Sequence, residues 1–322
     1  MLLATPYTLQ LLVEEFILLG FPATPHLQIL FFALFLMAYV IVLAENTVII
    51  LAIWTSYSLH TPMYFFLSNL SFLEIWYVTV TVPRTMLSFV SQRKHISFVG
   101  CMTQLYFFLG LGNTECLLLA VMAYDRYVAI CKPFHYSVII SHSVCVYLTT
   151  GSWLSGFFIS ACKVYFISQI TYCGPNIIHH FFCDVSPLLN LACTDTERAA
   201  HIDFVAALFI LLIPLLVVIL SYAYIIFTVL HISSVRTCQK AFSTCATHLI
   251  VVIVFYATSI FIYVRPKALP DHNANTIVST FYAVVVPVFN PIIYCLRNQE
   301  IKDALRKTLL SKRFSLQKRQ HL

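Results

Sequence analysis

Apolar residues in this chain gather in long runs that are closed by charges or turn residues, with no sustained alternation at period two. A helix that crosses a bilayer needs about 20 mostly apolar residues, because in hydrocarbon the backbone must satisfy its own hydrogen bonds. Seven runs meet that requirement: Leu27 to Trp54, Met63 to Val82, Val99 to Tyr124, Val144 to Tyr165, Phe204 to Leu230, Phe242 to Val264 and Thr276 to Cys295. The pattern predicts an all-α membrane protein, a bundle of seven transmembrane helices. A transmembrane barrel would need alternating segments of about ten residues, and none occur. Pro83, Pro214, Pro287 and Pro291 fall within or at the ends of these runs; lipid-embedded helices tolerate them because neighbouring helices satisfy the carbonyls that proline frees.

Composition removes the soluble alternatives. Hydrophobic residues make up 60% of the 322 and charged residues 10%, with a mean hydropathy of +0.86, whereas a soluble domain carries about 25% charged residues. Seven spans leave roughly 150 residues for tails and loops, too few for a soluble catalytic or DNA-binding domain. The expected division is an extracellular N-terminus at 1–25, a spanning domain at 26–296, and a cytoplasmic amphipathic helix with a basic tail at 297–322. Met1 to Pro25 contains no Lys or Arg, so it lacks the basic start of a cleavable signal peptide, and the first span is expected to act as an uncleaved anchor.

The net charge of +6 sits mostly at one end. With the N-terminus outside, the inner side holds Arg126, Lys132, Arg236, Lys240 and the eight cations from Arg297 to Arg319, twelve of the chain's 19. The outer side keeps the other seven: Arg84, Arg93, Lys94, Lys163, Arg198, Arg265 and Lys267. Inner excess favours the N-terminus outside and the C-terminus in the cytoplasm. The basic tail therefore reads as a contact with anionic membrane lipid and not with nucleic acid. Ile301, Leu305 and Leu309 recur every four residues with Lys302 and Arg306 opposite, the spacing of a short helix lying on the inner face.

On this orientation Cys101, Cys173, Cys183 and Cys193 lie on the oxidising side. Four cysteines allow three pairings, and spacing does not choose among them. His179, His180 and Asp184 share the Cys173 to Cys193 segment, a set that could hold a metal; neighbouring outer thiols more often oxidise and loop histidines stay solvated, so no metal and no cofactor is the expected state.

Ionisable groups at membrane depth are costly and mark function. Glu45, Glu74, Glu115 and Asp125 are such groups, joined by Asn46, Asn69 and Asn290. Asn46, Glu74 and Asn290 form a candidate intramembrane polar network, either as interhelical glue or around internal water or an ion. Asp125-Arg126-Tyr127 closes the third span, and Pro287 to Tyr294 places two prolines and an amide in the seventh, where a helix can kink.

These motifs, in order on spans three and seven, resemble those of rhodopsin-like (class A) G-protein-coupled receptors, and more closely those of vertebrate olfactory receptors. The resemblance runs over nearly the whole chain. Its carriers are Pro62-Met63-Tyr64-Phe65-Phe66-Leu67-Ser68-Asn69-Leu70-Ser71, Met122-Ala123-Tyr124-Asp125-Arg126-Tyr127-Val128-Ala129-Ile130-Cys131, Ser221-Tyr222, Lys240-Ala241-Phe242-Ser243-Thr244-Cys245-Ala246-Thr247-His248-Leu249 and Pro291-Ile292-Ile293-Tyr294-Cys295-Leu296-Arg297-Asn298. It implies disulfides from Cys101 to Cys183 and from Cys173 to Cys193. It also implies that Asp125, Arg126, Tyr127, Tyr222, Asn290, Pro291 and Tyr294 serve activation and coupling to the stimulatory olfactory G protein, raising cyclic AMP, with a trafficking chaperone as a further partner.

The chain departs from the family pattern in three places. Met1 to Pro25 contains no Asn and so no N-terminal glycosylation acceptor. Glu74 stands where the wider class has Asp, and Glu45 precedes Asn46 where Gly is common. Ala257 replaces the usual Gly of the Phe255-Tyr256 segment.

By position, the resemblance implies a ligand pocket in the outer half of the bundle, lined by Phe108, Leu109, Gly112, Asn113, Ala206, Ala207, Ile210, Tyr256, Ser259, Ile260 and Tyr263. That set is mostly apolar with a few polar groups, so it suits a small volatile hydrophobic molecule with one hydrogen-bonding group. The seventh span has no Lys for a retinal Schiff base, and Phe108 stands where amine receptors keep an Asp. No enzyme motif appears: His-Glu-X-X-His is absent, Gly110 to Asn113 has no Asp, and Ser155-Gly156 forms no nucleophile elbow. Rival functions are a metabolite-sensing receptor of the same fold, or a channel or transporter, whose internal repeats and matched half-helices are not found.

Overall fold

The computed structural model describes residues 13–20, 24–91, 94–172, 176–193, 197–231, 235–263, 279–297, 301–304 and 306. Within them, seven helices run through one bundle. They are α1 (Pro25–Thr55), α2 (Pro62–Val90), α3 (Phe98–Cys131), α4 (His142–Ser168), α5 (Glu197–Leu230), α6 (Val235–Tyr263) and α7 (279–297). The first five are long and apolar enough to cross a membrane, and Cys245–Ile260 and Phe281–Ile293 supply the apolar stretches of the last two. The protein is a multi-pass membrane protein.

Local sequence sets the helix starts. Pro25 and Pro62 occupy first-turn positions of α1 and α2, where proline's missing N–H costs nothing. Ser97 caps α3 by accepting from the Gly100 N–H, and Ser141 caps α4 by accepting from Val144. Several helices outrun their apolar cores: α5 begins at Glu197, two turns before Phe204, and α6 begins at Val235, two turns before Phe242. Amphipathic turns continue beyond the lipid, and a hydropathy window does not register them.

The central helix is α3, with 72% of its membrane window buried against 11% for α1. Its closest neighbour is α4. A Cβ on Gly156 would sit 2.8 Å from the Thr114 backbone nitrogen, and one on Gly110 would meet the Phe157 ring at 2.8 Å; glycine is what allows this approach. Two wide turns interrupt the bundle, at Leu208–Leu212 in α5 and Phe281–Val285 in α7. Each lies just before a proline, Pro214 or Pro287, where the regular ladder has lost a donor.

The sequence pattern did not foretell a three-stranded sheet at the disulfide end of the bundle. β1 (Glu15–Leu18) lies between β2 (His95–Ser97), antiparallel with Phe16 opposite Ile96, and β3 (Ile177–Ile178), parallel with Ile17 opposite Ile177. Its strands of two to four residues are too short to leave a periodic signal. Phe16 is fully buried against Phe98 and Tyr172, whose rings lie 6.1 and 5.3 Å away. The N-terminal segment is thus sewn into the cap of the bundle. At the other end, residues 301–304 are helical, with Ile301 and Ala304 buried and Lys302, Asp303 and Arg306 exposed. Leu305 and Leu309 lie outside the described residues.

Candidate ligand cavity and coupling end

A disulfide joins Cys101, at the start of α3, to Cys183, with the Cα atoms 5.6 Å apart. It ties down the segment His180-Phe181-Phe182-Cys183, all of it buried. Gln104 adds a clamp: its amide donates to the Val80 carbonyl of α2 at 3.0 Å, and its oxygen accepts the Cys183 N–H at 3.1 Å. Cys193 is also disulfide-bonded, and its N–H reaches the Thr171 carbonyl at 3.0 Å beside a Tyr172–Ala192 bridge. Cys173 lies outside the described residues.

Beneath this cap a cavity of about 70 Å³ opens between α3, α4, α5, α6 and α7. On a measure by which one water needs about 10–15 Å³, it has room for a small molecule only. Seven of the residues named from sequence line it: Phe108, Leu109, Gly112, Asn113, Ala207, Ile210 and Ser259. Three others do not. Ile260 is 38% exposed, turned outward one step beyond Ser259. Ala206 stands one step off the Ala207 face. Tyr256 is buried, with its hydroxyl directed onto Cys116. The side chain of Tyr263 lies outside the described residues.

Tyr256 and Cys116 belong to one contact set below the cavity. Pro214 has no N–H for the Ile210 carbonyl four residues earlier, and the Cys116 thiol takes that acceptor at 2.8 Å. The same sulfur lies 3.2 Å from the Tyr256 hydroxyl, which in turn reaches the Cys116 carbonyl at 3.4 Å. Helices α3, α5 and α6 therefore meet at one sulfur, directly under the cavity wall that Cys116 and Ile210 help form.

Sequence reasoning missed a charged group at the other edge. Lys163 and Asp184 both line the cavity. The Lys163 ammonium lies 2.7 Å from Asp203 of α5, and Lys163 itself is 4% exposed. Asp184 caps a one-turn helix, Val185–Leu189, by accepting from the Val185 N–H at 2.7 Å. Burial raises its carboxyl to about 6, against that donation. Nearby His180 is packed between Phe181 and Phe182, and burial lowers its imidazole to about 4. A signal for Lys163 existed in the sequence. Ser152, Gly156, Ser160, Lys163 and Ile167 recur every three or four residues as the buried stripe of α4, so Lys163 shares a face with the small residues that pack on α3.

In the middle of the bundle, the Asn290 amide donates to Glu74 at 2.6 Å, joining α7 to α2. Asn46 is buried, and its amide donates within its own helix, to the Val42 carbonyl at 3.0 Å. Glu74 and Glu115 each keep one buried oxygen without a hydrogen-bond partner. Such atoms are the natural partners of internal water.

At the end away from the disulfide, Asp125 is buried and accepts from the Tyr136 hydroxyl at 2.7 Å, with Arg126 Nε 4.0 Å from its other oxygen. Tyr222 shares a hydrogen bond of 2.7 Å with His248 of α6. Tyr127 packs against Tyr224 of α5, ring centroids 5.7 Å apart. Pro291 is buried within α7; the Tyr294 side chain lies outside the described residues.

The family model for olfactory receptors matches residues 35–312. This chain belongs to the olfactory receptor family. Among its relatives, human olfactory receptor 6A2 is 64% identical over 301 residues, 92% of each chain. Rat olfactory receptor 226 is 62% identical over 92% of each chain. Mouse olfactory receptor 6B9 is 57% identical over 92% of this chain and 94% of its own. For this olfactory receptor the cavity, the sulfur contact and the Asp125 cluster form one vertical series along α3.

Proposed function

We propose that the chain is an odorant receptor that binds small, mostly hydrophobic volatile ligands in the cavity below the disulfide and activates a stimulatory olfactory G protein to raise cyclic AMP. The observation that carries this reading is a mostly apolar cavity whose floor, Cys116 and Ile210, is bonded to α6 through Tyr256. A ligand that presses on this floor has a direct mechanical route to the helix that must move.

In this reading Phe108, Leu109, Gly112, Ala207 and Ile210 supply shape, while Asn113 and Ser259 offer hydrogen bonds. A ligand with few atoms binds at about micromolar affinity or weaker. Ala206, Tyr256 and Ile260 act one layer away, and Tyr263 is assigned to the pocket by position in the sequence alone. Asp125, Arg126, Tyr127, Tyr222, Asn290, Pro291 and Tyr294 rearrange at the coupling end, and the Asn46, Glu74 and Asn290 region is the polar hinge between the two. The receptor is not an enzyme. It sits in the plasma membrane with its N-terminus extracellular and C-terminus cytoplasmic, 1–25 outside, 26–296 spanning, and 297–322 lying against inner-leaflet lipid. The excess of Lys and Arg at that end supports the orientation. The family match supports the odorant and G-protein partners.

The test is cyclic AMP in cells that express the chain with the stimulatory olfactory G protein and a trafficking helper, across an odorant panel with surface staining. A saturable response that Arg126→Ala abolishes, at unchanged surface level, is the expected result. Silence of the stained receptor across the panel would instead favour a metabolite ligand outside olfaction, and an undiminished Arg126→Ala response would remove the assigned coupling role.

A further inference from the structure

A second concavity lies outside the bundle, between α2 and α3 at the disulfide end. It is a shallow, open concavity of about 440 Å³, with walls that include Val80, Arg84, Ile96, Gly100, Gln104 and Phe107. Gly100 contributes no side chain, and Ser97 and Ile96 close in where its Cβ would be, at 3.0 and 3.3 Å. From Pro62, Arg84 lies about 33 Å along α2, close to the hydrocarbon thickness of about 30 Å. The cation is therefore at headgroup level. Below it, Val80 and Trp76 follow at four-residue spacing on the same helix face, with Trp76 48% exposed and Phe107 of α3 38% exposed. The groove is thus cationic at its top and apolar along its length.

Arg84 donates to the His95 carbonyl. A guanidinium carries further donors in a planar fork that matches the oxygens of a phosphate. An anion is present at the same level: Glu15 of β1 pairs across the sheet with Ser97, which lines the groove, and its carboxylate lies 3.4 Å from the His95 ring. A positive and a negative group at the rim, above an apolar trough that faces lipid, complement a headgroup carrying both charges.

We propose that this groove binds one zwitterionic phospholipid of the leaflet at the disulfide end, with its phosphate on Arg84, its ammonium towards Glu15 and an acyl chain along Val80, Trp76 and Phe107. Gln104 makes the site consequential. It lines the groove and also clamps the Val80 carbonyl to the Cys183 N–H, so a lipid seated here braces the loop that covers the ligand cavity.

The test uses the purified full-length receptor with a photo-crosslinking phosphatidylcholine, mapping labelled peptides by mass spectrometry. Labelling between residues 76 and 107 is expected, falling about tenfold in Arg84→Gln through loss of a charge-assisted contact and held much better in Arg84→Lys. Thr103→Trp fills the exposed wall without touching any charge and should also suppress labelling; it decides the matter if Arg84→Gln is not recovered folded. Labelling that neither substitution lowers would overturn the proposal. So would a sterol probe that displaces the phospholipid at equal concentration, since that would show a trough without phosphate recognition.

Discussion

The Tyr136 hydroxyl donates to Asp125 at 2.7 Å, fastening the loop after α3 to the buried carboxylate at the helix's end. Asp125 thereby holds a neutral donor on one oxygen, while Arg126 stands 4.0 Å from the other. A hydrogen bond to a charged group is worth about 1.5–3 kcal/mol, enough to bias a two-state equilibrium. Tyr136→Phe, which removes only the donor, should raise ligand-independent cyclic AMP by about two- to tenfold at equal surface expression. Unchanged basal signalling would show that the bond does not restrain the coupling end.

The two polar groups proposed as ligand anchors should behave differently. Ser259 lines the cavity, whereas Asn113 also donates across to the Gly156 carbonyl of α4 at 3.2 Å. Ser259→Ala should shift the odorant midpoint by about three- to tenfold with normal surface staining. Asn113→Ala should lower both staining and response, because it leaves the Gly156 carbonyl without that donor. Identical behaviour of the two variants would contradict the distinction.

Two buried groups in the cap give opposing pH dependences. His180 has a folded value of about 4 against 6.5, so its contribution is complete above 6.5 and is lost as pH falls towards 4. Asp184 has a folded value of about 6 against 3.8, so its contribution is complete below 3.8 and is lost as pH rises through 6. Each shift corresponds to roughly 3 kcal/mol, and in the parent they largely offset between pH 4 and 6. Thermal unfolding of the purified receptor should therefore tilt in opposite directions: His180→Phe gains stability on acidification, and Asp184→Asn loses it. Parallel slopes for the two variants would refute this account.

Close approach of α3 and α4 makes Gly156 intolerant of a methyl group. A Cβ there would meet the Thr114 backbone nitrogen at 2.8 Å, so Gly156→Ala must separate the helices, at a cost of about 1–3 kcal/mol. Surface staining and melting temperature should both fall, and Gly151→Ala, where a Cβ meets nothing within 4 Å, provides the neutral control. Comparable losses in both variants would point away from packing.

Removing the bond between Cys101 and Cys183 frees a loop of 82 residues' separation, worth about 2–4 kcal/mol. Cys101→Ser and Cys183→Ser should each reduce surface delivery, and the double variant should be no worse than either single one. Additive losses would argue that the two sulfurs act apart.

The sequence by itself determined the number of helices, their approximate spans and the family. These rest on signals carried by contiguous residues: a 20-residue apolar run or the segment Met122 to Cys131 is legible without knowing its neighbours. Long-range pairing was decided only by the tertiary structure. Glu74 and Asn290 are 216 positions apart and meet because α2 and α7 are adjacent. The Ile210 carbonyl is left free because Pro214 lacks a donor, a local fact, yet only the packing of α3 brings the Cys116 thiol to donate to it. Lys163 counts only as an outer-side cation in the charge tally, and the packing of α4 against α5 is what turns it inward onto Asp203. The short strands that fasten the N-terminal segment to two loops have no periodicity to detect, and their hydrogen bonds exist only once the bundle has brought those loops together.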